Sequence, residues 1–475
     1  MPLSCLPMFR LHVPLSRTRS VMRPMRHPAL ALALAGALLL GPGLASAQNL
    51  QMLYKVARGY DATFLAARLQ AEAVLLKAEQ AQALRRPTVN AVGGVNVAHG
   101  NTPWASVTQS NTLQGSVGLN AEYTVFNRSI DHTLGQSELQ IQAAQAQLVA
   151  TEQELAIRVS QAYFELLAAQ DALTTVRVSK AAIAEQLAAA RHNFELGNAT
   201  ITDAREAEAR FDLARAQELA TENDLNTAQL ALDHLVGRQG LKPQPLALPM
   251  TMPNLLPADP EEWVRLADAN SPVLRQMRLG QEAGKLDSAK ARAAGLPTVV
   301  LNGAVSYNAS RASGKNKASD GTELSFGPNQ GTGAQASVGL QLSMPLYTGG
   351  AQQGRVKETL VLEQKTEAEL EAARRTLAQT TRTGFFAVRS LMARVEALQA
   401  AEGSSKMALE ATQMGYQVGV RVNLDVLNAQ TQRFQAERDS ARARYDLLVA
   451  MLRLRQTAGV LKLQDMAEVS GLLTK

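Results

Sequence analysis

Residues 194–237, FELGNATITDAREAEARFDLARAQELATENDLNTAQLALDHLVG, return as residues 416–459, YQVGVRVNLDVLNAQTQRFQAERDSARARYDLLVAMLRLRQTAG, at a constant offset of 222. Gly197 falls on Gly419, Asp203 on Asp425, Leu225 on Leu447, Leu232 on Leu454 and Gly237 on Gly459. At the same offset Tyr163-Phe164 meets Phe385-Phe386, and further upstream, at an offset of 210, Pro87-Thr88-Val89 meets Pro297-Thr298-Val299. Self-similarity on this scale means a duplicated chain. The two copies are expected over 48–240 and 261–460. Between them residues 241–260 form a linker, because the six prolines from Pro243 to Pro260 interrupt both helix and sheet. Residues 461–475 remain as a short C-terminal tail.

Inside each copy the hydrophobic period switches twice. Residues 50–86 and 260–294 are helical in pattern, rich in Ala, Leu, Gln, Glu and Arg, and each stops before a proline-led segment. Strand pairs follow, at 88–98 with 113–126 and at 298–309 with 335–347. In LQGSVGLNAEYTVF, apolar or small residues at Leu113, Gly115, Val117, Leu119, Ala121, Tyr123 and Val125 alternate with polar ones. The segments 99–112 and 310–334, rich in Gly, Ser, Asn and Thr, are expected to be polar loops. Long helices at about 130–193 and 351–415 come next, with Leu134, Ile141, Leu148 and Leu155 seven apart, as are Leu370, Leu377, Gly384, Leu391 and Leu398. At ~1.5 Å per residue each is a rod of roughly 90 Å, too long for a compact domain to bury. Return helices, 203–236 and 425–457, follow the breaks at Gly197 and Gly419.

The formal charge of +6 points away from a polyanionic partner once it is located. Arg10, Arg17, Arg19, Arg23 and Arg26 precede residue 48 in a stretch without acids, so removing them leaves +1. Nucleic acid is not an expected partner. That stretch has a basic start, an apolar run from Pro28 to Leu40 and the triplet Ala45-Ser46-Ala47, the pattern of a cleaved signal peptide over 1–47. The start codon stays open among Met1, Met22 and Met25. The single cysteine, Cys5, leaves with the leader, so neither a disulfide nor a lipid-bearing cysteine is expected. No later run is apolar enough for a transmembrane helix. Aromatics at 4% and alanine at about a sixth of the chain favour long, closely packed helices.

Strands of 10 to 14 residues with one apolar face fit a tilted strand of an outer-membrane barrel, and taken alone they also fit a half-solvated sheet packed on helices. The leader, the polar loops on one side and the rods on the other select the barrel. Four strands cannot close a membrane barrel, whose smallest common form has about eight. Three chains would supply twelve, with their helices continuing the barrel as a hollow cylinder. The expected fold is thus an α+β membrane protein: a duplicated chain giving four strands to a trimeric twelve-stranded outer-membrane β-barrel, continued by an α-helical coiled-coil tunnel in the periplasm.

FELGNATITDAREAEARFDLA, YQVGVRVNLDVLNAQTQRF, and the pair LPTVVLNGAVSYN and LQLSMPLYTGG resemble the TolC-like outer membrane efflux proteins, and the resemblance spans nearly the whole mature chain. It implies a homotrimeric exit duct in the outer membrane of a Gram-negative cell. The duct would pass small molecules or proteins passively when a periplasmic adaptor and an inner-membrane pump or ABC transporter open it. It also implies roles at the coil tips. Tyr416 and Arg421 match the family's linking tyrosine and arginine, and Thr202 and Asp203 match the groups they bond on the adjacent coil. Gln186 matches a further polar link whose usual acidic partner is here Gln413. Asp425 matches a constriction-ring aspartate, and Asn428 stands where some members carry a second. The tips Leu196-Gly197-Asn198 and Val418-Gly419-Val420 match the turns that adaptor hairpins engage, though the third residue of each departs from the commoner Leu or Thr.

No catalytic constellation, cofactor motif or metal-ligand spacing is present: His99, His132, His192 and His234 are scattered. GTGAQA at 331–336 leads into a strand rather than a helix, which disqualifies it as a dinucleotide loop. SGKNK at 313–317 lacks the spacing of a phosphate loop. A structural or adhesive envelope-spanning stalk remains the alternative, and a helical periplasmic enzyme would need the cluster that is missing.

Overall fold

The computed structural model describes residues 49–197, 199–250, 252 and 254–474; the expected leader lies outside them. Each repeat opens with two helices at an elbow: α1 (Leu50–Tyr60) and α2 (Ala62–Ala83) in the first, α5 (Pro260–Asn270) and α6 (Pro272–Ala293) in the second. Sequence periodicity predicts one helix over each of 50–86 and 260–294. At Asp61 and Ser271, however, ψ of 116° and 121° takes the backbone out of the helical region. Each of these side chains then caps the helix that follows, Asp61 accepting from the Phe64 amide and Ser271 from that of Leu274. Pro272 at the first helical position has no N–H to lose.

Strands β1 (Thr88–Asn101), β2 (Val107–Phe126), β3 (Thr298–Lys317) and β4 (Glu323–Ser343) form one antiparallel sheet in the order β1-β2-β3-β4. They outrun the expected pairs 88–98 with 113–126 and 298–309 with 335–347. Most of 99–112 and 310–334 is strand rather than polar loop. The ladder continues there because backbone pairing, as between Asn101 and Gln109 or Lys315 and Ser325, needs no apolar alternation. At the other end β4 stops at Ser343, short of 347, where Pro345 has no N–H to offer a ladder.

The register sorts the side chains by face, since cross-strand partners point the same way. One face carries rows such as Val89–Ala121–Gly303–Val338 and Ala91–Leu119–Val305–Ala336; the other carries rows such as Gly94–Ser116–Asn308–Gly333. The apolar face is open, with Val95 at 76% and Val338 at 83% exposure. From Leu342 to Thr332 it rises about 34 Å along β4, or roughly 25 Å of depth at the tilt of a barrel strand.

From the base of the sheet run the long helices α3 (Arg128–Glu195) and α7 (Ala351–Gln417), each returning as α4 (Ile201–Val236) and α8 (Asn423–Thr457). The core lies midway along them. There Leu155, Tyr163, Phe164 and Leu167 of α3 meet Leu447, Leu448 and Leu452 of α8 and Leu50 and Leu53 of α1, all at 1% exposure or less. Each such side chain contributes about 1.5–3 kcal/mol by leaving water. The Tyr163 hydroxyl donates to the Gln244 carbonyl of the linker at 2.9 Å. The expected tail, 461–475, holds a further helix, α9 (Leu463–Ser470), whose Met466 is 1% exposed in this same core. Leu473 bridges back to Leu246 of the linker. Eight residues are too few for periodicity to reveal a helix, so burial of Met466 supplies what the pattern lacks.

Candidate functional site at the coil tips

At the end of the rods, α3 turns into α4 at Gly197 and α7 into α8 at Gly419, with φ of +78° and +80°. Glycine enters this region without strain. The second turn is closed by the Val420 and Arg421 amides, both donating to the Gly415 carbonyl at 2.9 and 3.1 Å. Leu196, Val418 and Val420 are exposed on the two turns, Val420 at 79%. Asn198, expected in the first tip, lies outside the described residues.

The two matched aspartates do the same local work. Asp203 accepts from the Thr200 amide at 3.0 Å and the Thr200 hydroxyl at 2.7 Å, while Thr200 accepts from the Asp203 amide, a capping box that starts α4. Asp425 accepts from the Val422 amide at 3.4 Å and lies 3.6 Å from the Arg421 guanidinium. With Arg421 at 60% and Asp425 at 38% exposure, that ion pair is worth about 0–1 kcal/mol. Within one chain Arg421 therefore meets Asp425, and the structure does not bring it to Thr202 or Asp203; Thr202 is exposed. The Tyr416 hydroxyl accepts from the Asn193 side-chain amide at 3.4 Å, joining the last turns of α3 and α7. Asn428 accepts from Arg210 at 3.0 Å, joining α4 to α8. Near the tip, Glu208 binds both Arg205, at 2.8 Å, and Arg191 across the coil, at 2.7 Å. Those hydrogen bonds, Arg205 first, hold its carboxyl below the usual carboxylate range.

Behind these polar links sits a small apolar plug in which Leu427 packs with Ile183, Leu187, Ala190 and Ala207. Asn423 and Gln430, four residues before and three after Leu427, share its face and are buried at 5% and 3% exposure. Both Asn423 side-chain polar atoms and Gln430 Oε1 lack a hydrogen-bond partner, and so does the buried Oε1 of Gln186, beside Leu187 on α3. Sequence reasoning singled out Gln186 but missed Asn423, Gln430, Asn193 and Arg210. The signal was there for two of them: polar residues at 4-3 spacing around Leu427 in a helical seam. Among the described residues no group of three or more His, Cys, Asp or Glu stands ready to hold a metal ion. No described helix is long and apolar enough to cross a membrane.

Residues 53–238 and 263–460 both match the family described as outer membrane efflux protein. Outer membrane protein TolC of Vibrio cholerae serotype O1 is 30% identical over 425 residues, spanning 90% of this chain and 94% of that one. Proteases secretion protein PrtF of Dickeya chrysanthemi is 28% identical over 457 residues, spanning 94% and 95%. The solved structure of the outer membrane protein VceC from Vibrio cholerae shares the fold with a TM-score of 0.72 at 19% identity, covering 86% of this chain and 96% of that one.

Proposed function

The chain belongs to the outer membrane efflux protein family, and from that premise we propose that three copies form a passive exit duct across the outer membrane, opened at the coil tips by a periplasmic adaptor and an inner-membrane pump or ABC transporter. The observation that carries this reading is the four-stranded sheet with two open edges, one of them the 21-residue β4. An edge that long, left unpaired, invites uncontrolled pairing, and β1 of a second copy satisfies it. Three copies then give twelve strands, with the apolar face toward lipid and the Asn-, Ser- and Gly-rich face toward a watery lumen. The rods continue this lumen into the periplasm. Residues 1–47 are read as the cleaved leader, 48–240 and 261–460 as the repeats, and 241–260 as the linker.

The tips are read as the gate. Tyr416, Arg421, Thr202, Asp203 and Gln186 would link neighbouring coils, Asp425 and Asn428 would line the constriction, and Leu196-Gly197-Asn198 with Val418-Gly419-Val420 would meet the adaptor. In favour of a gate, the links at hand are few, most of them partly exposed, and individually weak, which is what a partner needs in order to displace them. A stalk would have no use for them. The duct itself performs no catalysis in this reading; cargo and energy come from the partners, and the relatives' names span secretion and efflux. Replacing Arg421 by Ala together with Tyr416 by Phe is expected to raise single-channel conductance in planar bilayers. Unchanged conductance in an intact trimer would retire these two residues as part of the latch.

A further inference from the structure

The apolar face of the sheet ends abruptly. The row Val95–Gly115–Ala309–Thr332 is followed by Val97–Leu113–Arg311–Gln330, which places the first charge on this face. Arg311 therefore stands on the lipid-facing side, level with Val97 and Leu113, at the end of the sheet away from the helices. Beyond it the same face turns polar, with His99, Asn111 and Ser313 in the following row. Lys315, one row further, is neutralised by Glu323 at 3.3 Å. The Arg311 side chain has neither an ion pair nor a hydrogen bond among the described residues. Beside it the sheet is hollowed into a depression of about 530 Å³, lined by the apolar Val95, Leu113 and Ala309 and by polar residues that include Arg311, Gln330 and Thr332. Gly115 has no Cβ to fill it and Ala309 little more.

We infer that this depression and Arg311 form a binding site for the phosphorylated headgroup of lipid A in the outer leaflet, with an acyl chain lying in the hollow and a headgroup phosphate on the guanidinium. The chemistry is complementary on both counts. A guanidinium offers a planar fork of donors to phosphate, and the Val95, Leu113 and Ala309 side of the hollow accepts hydrocarbon. Depth selects the lipid: the band spans roughly 25 Å from the helix-bearing, periplasmic end, so Arg311 reaches the outer leaflet, which in Gram-negative cells is built of lipopolysaccharide. The site lies within one chain's four strands and needs no residue from a second copy. It rests on the outer-membrane barrel reading and adds to it a particular lipid at a particular arginine.

The test uses the mature trimer purified in mild detergent and titrated with diphosphorylated lipid A, with its dephosphorylated counterpart and with phosphatidylglycerol, bound lipid being read by native mass spectrometry. The wild type is expected to favour the diphosphorylated form by about tenfold, the scale of one hydrogen-bonded charge. Arg311→Gln is expected to bring the two forms to parity, while Arg311→Lys keeps part of the preference. A wild type indifferent to the phosphates overturns the inference, leaving Arg311 as a side chain that merely reaches out to water. So does an Arg311→Gln trimer that keeps the preference, or phosphatidylglycerol competing as well as lipid A. Should Arg311→Gln yield no trimer, the wild-type preference among the three lipids decides alone. An intact outer-membrane trimer without phosphate preference refutes this site only, whereas a chain that is no outer-membrane trimer refutes the barrel reading as well.

Discussion

Asn423 offers the sharpest handle on the proposed gate. It is 5% exposed at the start of α8, on the face whose Leu427 packs against α3 and α4, and neither polar atom of its side chain has a partner. A buried amide left in this state destabilises the packed arrangement by about 1–3 kcal/mol, so the coil tip is held less firmly than its apolar plug alone would hold it. Asn423→Leu keeps the branching, removes both orphaned atoms and adds buried apolar surface. It should favour the packed tip by about 1–3 kcal/mol, or roughly 5- to 150-fold in the ratio of packed to released states. Asn423→Ala removes the same polar atoms but leaves their space empty, so the cavity offsets part of the gain and the shift should be smaller than for Asn423→Leu. The assay is single-channel recording of purified trimers in planar bilayers, counting spontaneous openings. At least a fivefold fall in opening frequency is expected for Asn423→Leu. An intact trimer opening as often as the wild type, or more often, would refute the reasoning and mean that Asn423 is hydrogen-bonded in the assembled duct.

Three further outcomes follow from the same contacts. Arg421→Ala frees Asp425 from its cationic partner, so reversal-potential measurements should show a stronger cation preference in that variant and a weaker one in Asp425→Ala; equal reversal potentials in both would remove Asp425 from the conducting path. Gly459→Ala forces a Cβ against the Asn270 carbonyl at φ +70°, whereas Gly419→Ala meets open space at φ +80°. Thermal denaturation should therefore rank Gly459→Ala well below Gly419→Ala, whose strain is only about 1 kcal/mol. Burial alone would push the Asp61 carboxyl up, but hydrogen bonds from Arg158, at 3.0 and 3.1 Å, and from the Phe64 amide outweigh it and hold the group below its ordinary value. A carboxyl depressed by folding stabilises the fold at pH above its unfolded value of about 4, and that contribution is lost as the pH falls through the lower folded value. The thermal midpoint should fall below about pH 4, and Asp61→Asn, which can still cap α2, should flatten that fall while lowering stability at pH 7 by about 1–3 kcal/mol.

The duplication, the strand pairs and the rods were legible because each has a period. A repeat at fixed offset, alternation in 113–126 and heptads from Leu134 onward are all properties of a single linear string. The outer thirds of the strands were not, because Gly-, Ser- and Asn-rich segments such as 323–335 become strand through hydrogen bonds to a neighbour, and composition alone reads them as loop. The elbows were half legible: Ser271-Pro272 is a cap followed by a first-turn proline, but Asp61-Ala62 has only the cap. At the tips, sequence comparison found Arg421 and Asp425, while their pairing with each other depends on the first turn of α8 bringing residues four apart together. The orphaned Asn423 and Gln430 stayed hidden because the cost of a buried amide depends on what surrounds it.

If this sheet is one third of a closed barrel, the mass of the mature chain extracted from outer membranes in mild detergent reports it directly. A trimer that holds together until it is denatured is expected. A monomer, or a chain recovered only from the soluble fraction, would contradict it, because edges as long as β1 and β4 would then have to be satisfied in some other way.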